Sequence, residues 1–238
     1  MKYFCSVIIL FCSCASFLTM DPPKSFSYIG NYSIELISVE RPESAKERYG
    51  EIKIDSVTND TSYKYLFEDS LVQILWVATS RKIAFHLFNK TDHSIKIPWD
   101  EAAYVDENGA SHRVMHGGIK YSERENPQPP SVVVRKGSIQ DILFPTDYVY
   151  YEEGKYGGWK NKSLFLDYDF HYESINMPSL NSGVYNTLDD FKQAVIANLG
   201  KTYQVLLPLQ IQDVVNDYIF TFKVKDIKTT TIDNRSLN

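Results

Sequence analysis

The chain has 238 residues with a formal charge of −5 and no basic run, which argues against nucleic acid as a partner. Aromatic residues make up 14%, including seventeen tyrosines, and this balance favours sheet over helix. All three cysteines, Cys5, Cys12 and Cys14, fall in the first fourteen residues, so no disulfide framework can form downstream and the fold must rest on its core.

Lys2 followed by the apolar run Tyr3 to Phe11 reads as a short secretory signal, well below the about 20 apolar residues of a membrane span. Two processing readings compete. Ser13-Cys14 resembles a lipobox, with Phe11 where Leu is usual, and would make Cys14 the diacylated first residue of the mature protein. Ordinary cleavage after Ala15 is the alternative, since Ser13 and Ala15 satisfy the small-x-small rule. A cysteine inside a hydrophobic signal has little other use, which favours lipidation at Cys14. Residues 1–14 are thus expected as the signal, 15–27 as a tether stiffened by Pro22-Pro23, 28–228 as one β domain, and 229–238 as a frayed end.

Within the domain, Ile34 to Val39 suggests a first strand, and Arg41 to Gly50 one or two helical turns between Pro42 and Gly50. Glu51 to Val57 and Tyr63 to Phe67 are further strands. Leu71 to Thr79 is apolar almost throughout, the pattern of a strand buried on both faces. Ile83, Phe85 and Leu87 alternate with Lys82, Ala84 and His86, a period of two. Asn89 to Ser94 is rich in turn formers and predicts a hairpin into Ile95–Trp99, where Pro98 requires an edge or a bend. Asp106-Glu107-Asn108-Gly109 predicts a tight turn between strands at Ala103–Val105 and Ser111–Met115, with positive φ tolerated by Asn and Gly. Ser122 to Ser131 is a surface loop; short strands follow at Val132–Val134 and Ile139–Phe144, and Leu164 to Tyr172 alternates again.

One helix is expected, Leu188 to Leu199, with Thr187 and Asp190 as a capping box and Gly200 as its stop. Its buried face would be Leu188, Phe191, Val195, Ile196 and Leu199. Thr202–Gln212 and Asp217–Ile227 make a closing pair of strands. Strands with one apolar face need a second layer, so the expected fold is mainly β, an antiparallel β-sandwich with one amphipathic helix.

The segments FHLFNKT, SIKIPWDEAAYVDENG, HRVMHGG and PPSVVV together resemble a pattern of uncharacterised Bacteroidetes-type envelope lipoproteins, over about Leu71 to Gly158. The resemblance implies an immunoglobulin-like sandwich and a location in the cell envelope; with Cys14 as the lipid anchor, the expected place is the outer membrane. It assigns no catalytic residue.

Candidate chemistry is sparse. His112 and His116 have helical zinc spacing, but four residues of strand span about 13 Å, too far for two imidazoles that each need about 2.1 Å to one ion. The Asp106–Gly109 segment lacks the Glu and the spacing of a calcium loop. Glu152-Glu153, Asp167/Asp169 and Asp189-Asp190 read as solvated charge, and no nucleophile elbow is present. No cofactor motif appears. Tyr148, Tyr150, Tyr151, Tyr156 and Trp159 cluster in a glycine-containing stretch, and Tyr156 and Trp159 are the candidate ligand-binding residues. Trp159 is either a plug over the sandwich end or a stacking platform, and the plug is the favoured expectation. The leading function is a non-enzymatic lipoprotein with a structural or interaction role. The alternative is a carbohydrate-binding or surface-recognition module, its partner a glycan or an envelope protein.

Overall fold

The structure is a computed structural model that describes residues 26–42, 46–59, 62–164, 170–172 and 188–233. Cys14, the expected tether up to residue 25, Thr187 and the last five residues lie outside this set. The first half of the described chain runs β1 (Phe26–Glu40), α1 (Lys46–Tyr49), β2 (Lys53–Asn59), β3 (Ser62–Glu68), β4 (Val72–Ala78), β5 (Ile83–Asn89), β6 (Ile95–Ile97), β7 (Ala103–Val105) and β8 (Ser111–His116). It continues with β9 (Ser131–Val133), β10 (Ser138–Pro145), β11 (Val149–Glu152), β12 (Gly158–Asn161), β13 (Phe170–Tyr172), α2 (Leu188–Ile196), β14 (Thr202–Ile211) and β15 (Val214–Asp233). The expected mainly-β, antiparallel class is the one observed.

All strands except β11 and β12 join one antiparallel sheet, in the order β13-β1-β15-β14-β7-β8-β10-β5-β4-β3-β2, with β6 and β9 branching from β14. The sheet folds over at β8, which pairs with β7 on one side and β10 on the other. Its two halves then face each other, because period-two burial gives each half one apolar face. Trp76 of β4 lies 4.7 Å from Phe220 of β15 and 5.5 Å from Phe222, and Phe67 of β3 lies 5.3 Å from Phe220. The core these rings fill is continuous, from Ile34 and Leu36 through Ile83, Phe85 and Leu87 to Val205, Leu207 and Leu209.

Several local expectations are corrected. β5 and β6 are not a hairpin: β5 pairs with β4 and β10, whereas β6 pairs with β14 and β9. The turn formers after Phe88 instead carry the chain from one layer to the other. Asn89 holds that crossover from a fully buried position, donating to the carbonyls of His93, Val133 and Val134 and accepting from Thr91. Pro98 marks a bend, since β6 ends before it and a 3-10 turn follows at Trp99–Glu101. β4 is central but not buried on both faces: Val72, Ile74 and Trp76 enter the core, while Leu75 and Val77 on the outer face remain half-buried.

The C-terminal strand is longer than its polar sequence suggests. Thr229 to Asp233 pair with Gly30 to Phe26, so the strand replaces half of the expected frayed end and takes up Phe26 and Ser27 of the expected tether. In α2 the helix stops at Ile196, and the residues up to Gly200 form turns. Val195 is buried, but Ile196 and Leu199 are about half exposed (50% and 51%), so the expected five-residue apolar face does not form as a unit. Asn198, outside that expected face, is buried and donates to the Tyr32 hydroxyl at 2.8 Å.

Candidate functional site: an aromatic hairpin

Beyond β10 the chain turns through 146–148 and makes a hairpin apart from the main sheet, where among the described residues β11 pairs only with β12. Its base is fixed by buried Thr146 and Val149 and by the Lys162 amide donating to the Tyr148 carbonyl at 2.8 Å. Tyr151 and Trp159 stand directly opposite each other, and in an antiparallel ribbon such pairs share a face. Their rings meet edge to face, 5.5 Å apart at 74°. Both remain open to solvent, Tyr151 at 60% and Trp159 at 41%.

The Arg124 guanidinium lies 5.0 Å from the centre of the Trp159 ring. It is held there by a hydrogen bond from Nη1 to the Tyr121 carbonyl at 3.0 Å. On the opposite face of the ribbon, Tyr150 faces Lys160, and Lys160 is ion-paired with Glu152, which holds its pKa above the ordinary value. At the tip, Tyr156 is 83% exposed, with the Lys155 ammonium 5.3 Å from its ring. Gly157 is required there, because a Cβ would sit 2.3 Å from the Glu152 carbonyl oxygen.

Trp159, at 41% exposure, is not enclosed as a plug over the core would be. Among the described residues the ribbon pairs with no strand of the sandwich, and the Trp159 ring meets Tyr151 and Arg124. The exposed Tyr151–Trp159 pair with Arg124 can stack on the apolar face of a sugar ring or hold an aromatic or acidic side chain, and Tyr156 with Lys155 offers a second such contact at the tip. Arg124 was not legible as part of it. The loop SERENPQPPS carries no local signal for a contact with a ring 35 positions later.

The remaining candidate chemistry is separated. His112 Nδ1 lies 2.7 Å from Asp147 Oδ2, and its Nε2 is 3.6 Å from Asp106. His116 Nδ1 lies 3.0 Å from Asp141 Oδ2, and its ring stacks on Trp99 at 4.4 Å and 7°. The two imidazoles thus face different carboxylates, and the Nε2 atoms of both are buried. Among the described residues, no group of three or more His, Cys, Asp or Glu is placed to hold a metal.

The Asp106 carboxylate closes its own turn. Oδ1 accepts from the amides of Asn108 at 2.9 Å and Ala110 at 2.8 Å. Burial pushes its pKa up, but these amide donors outweigh burial and hold it below the ordinary value. Glu152 is committed to Lys160, Asp189 and Asp190 are exposed in the first turn of α2, and Asp167 and Asp169 lie outside the described residues.

No family model matches this sequence, and comparison with curated proteins and with solved structures finds no match. Among the described residues no helix is long and apolar enough to cross a membrane.

Proposed function

We propose that this chain is a non-enzymatic, exported lipoprotein of the bacterial cell envelope, tethered through a diacylated Cys14, whose β domain works by recognising an envelope glycan. The observation that carries the reading is the solvent-exposed Tyr151–Trp159 pair with Arg124 against the indole. Exposing large aromatics costs solubility and serves no packing role here, so a stacking partner is the economical reason for it. A carbohydrate presents both what such a surface takes, an apolar ring face and polar edges. The non-enzymatic part leans on His112 and His116, whose Nε2 atoms are buried. The lipobox-like Ser13-Cys14 supports the tether, since two acyl chains anchor stably where one is marginal.

Retention on immobilised envelope glycans tests the recognition. The parent chain is expected to bind, and Trp159→Ala and Tyr151→Ala to lose most of that binding while staying folded. Equal retention by parent and variants removes the hairpin from the role. Intact-mass analysis of the membrane fraction tests the anchor: a lipidated N-terminus at Cys14, lost in Cys14→Ala, supports it, and a soluble product beginning at Ser16 refutes it.

A further inference from the structure

The outer face of the β3-β4-β5-β10 layer carries a groove of about 560 Å³ that the hairpin does not touch. Its floor follows from register. Val77 lies opposite Ala84, Ala84 opposite Ile142, and Leu75 opposite His86, so side chains from neighbouring strands stand side by side on one face. Leu75, Val77, Ala84 and Ile142 make that floor apolar, and all four are only half-buried. An outward-facing strand position ordinarily carries a polar residue, and four adjacent aliphatics there call for a cover.

The rim is polar and carries one cation, Lys64, and one acid, Asp141. Asp141 is the acid beside the groove, and it is fully engaged: Oδ1 accepts from the amides of Gly117 at 2.7 Å and Ile142 at 2.8 Å, and Oδ2 faces His116. Gly117 permits this, since a Cβ there would approach Asp141 Oδ1 to 2.7 Å. Lys64, His86 and Gln140 also line the groove, and among the described residues none of their side chains makes a hydrogen bond or ion pair. The groove thus presents an aliphatic floor with an uncommitted ammonium, imidazole and amide at its rim, and an acid whose oxygens are already hydrogen-bonded.

We infer that this groove binds the acyl chain of a free, medium- to long-chain carboxylic acid, with the carboxylate at Lys64. Charge complementarity selects the head group: the one acid on the rim, Asp141, has both oxygens turned to Gly117, Ile142 and His116, which leaves the Lys64 ammonium for an incoming anion. The floor selects the tail. A peptide laid across the face of a sheet, away from its edge, would bury its own amides and carbonyls against four aliphatic side chains that offer no partner. An alkyl chain has no such groups to lose. The inference does not depend on the hairpin or on the glycan reading.

Calorimetric titration of the full chain with octanoate, decanoate and dodecanoate, each below its micellar concentration, tests it. Affinity is expected to rise about fourfold for each added methylene. Lys64→Glu should weaken decanoate by roughly tenfold or more, because it replaces attraction with repulsion. Decyltrimethylammonium should bind far more weakly than decanoate. Ala84→Phe, which fills the floor, should block binding, with circular dichroism confirming the fold. Trp159→Ala should bind decanoate like the parent. No dependence on chain length, equal binding of the cationic amphiphile, or unchanged affinity in Lys64→Glu overturns the proposal. So does binding of an acidic, apolar peptide at this groove in the absence of decanoate binding.

Discussion

The Tyr218 hydroxyl donates to the Asp69 carboxylate at 2.9 Å, although 149 residues separate them in the chain. Tyr218 belongs to one layer of the sandwich and Asp69 to the turn between two strands of the other. Asp69 Oδ2 also receives Arg41 Nη1 at 3.1 Å, and Oδ1 receives the amides of Leu71 and Val72. Arg41 in turn reaches the carbonyls of Tyr49 and Gly50, and the Tyr49 hydroxyl donates to Asn216 at 2.9 Å. A buried polar network therefore ties α1 and both layers together at one end of the core.

Removing its hub should cost far more than removing one arm. Asp69→Ala leaves the Arg41 charge without its counter-ion and the Leu71 and Val72 amides without their acceptor, and is expected to destabilise by about 3–5 kcal/mol. Tyr218→Phe keeps the ring and loses one hydrogen bond, so about 1 kcal/mol is expected, or somewhat more because the acceptor is charged. Urea unfolding of both variants checks the order; equal losses would show that the network is not centred on Asp69.

The turn at Asp106–Gly109 carries a second prediction. Gly109 alone takes positive φ there, at +83°, and its amide donates to the Asp106 carbonyl at 3.0 Å, while the Asp106 amide donates to the Ala110 carbonyl. This is a type I turn closed by a glycine bulge rather than the mirror-image turn that Asn-Gly suggests. A Cβ on Gly109 would meet nothing within 4 Å, so any penalty there is backbone strain alone. Gly109→Val is expected to destabilise by roughly one to a few kcal/mol, and Gly109→Asn, which tolerates the left-handed region, by clearly less. With Asp106 Oδ1 occupied by two amides, added calcium should leave the Tm unchanged.

These two sites show what the sequence could and could not disclose. Alternation is a local signal set by one-sided burial, so Ile83, Phe85 and Leu87 revealed both a strand and its inner face. The crossover at Asn89 was hidden because turn formers look alike whether a chain reverses within a sheet or crosses between layers. The Arg41–Asp69–Tyr218 network left no trace, since polar residues far apart in sequence have no periodicity. Leu75 and Val77 misled in an instructive way. An apolar run can mean burial on both faces, or a core face backed by an uncovered groove. The pair at Tyr151 and Trp159 was visible as a cluster, but its register and its Arg124 neighbour were not.

Alkaline pH should unfold this protein through its tyrosines. Burial, followed by the nearby Asp106, Glu107 and Asp147 charges, pushes the Tyr148 hydroxyl up to about 12 from an ordinary value of 10.0. Burial also raises Tyr49, Tyr104, Tyr203 and Tyr218. Above pH 10 the unfolded chain releases protons that the folded chain keeps, so the unfolded state binds fewer and stability falls as pH rises. For Tyr148 the stabilisation is complete below pH 10 and is lost as pH climbs towards 12. The Tm should hold from pH 7 to 9 and then decline, and Tyr148→Phe should shallow that decline. A Tyr148→Phe variant whose Tm declined as steeply as the parent's above pH 10 would contradict it.

Trp159 and Trp99 provide the last contrast, because the two indoles differ in surroundings and not in size. Trp99 is fully buried, donates from Nε1 to the Ser131 hydroxyl at 2.9 Å and stacks on His116. Replacing it by alanine empties a core site and strands the Ser131–Trp99 pairing, so about 3–5 kcal/mol is expected. Trp159 touches Tyr151 and Arg124 on an exposed ribbon, and its truncation should cost about 1 kcal/mol or less. Thermal melts of the two variants measure the difference directly. A large loss in Trp159→Ala would mean that the hairpin is packed against the sandwich after all, and would return Trp159 to a structural role. A small loss leaves the ring free to be judged by binding alone.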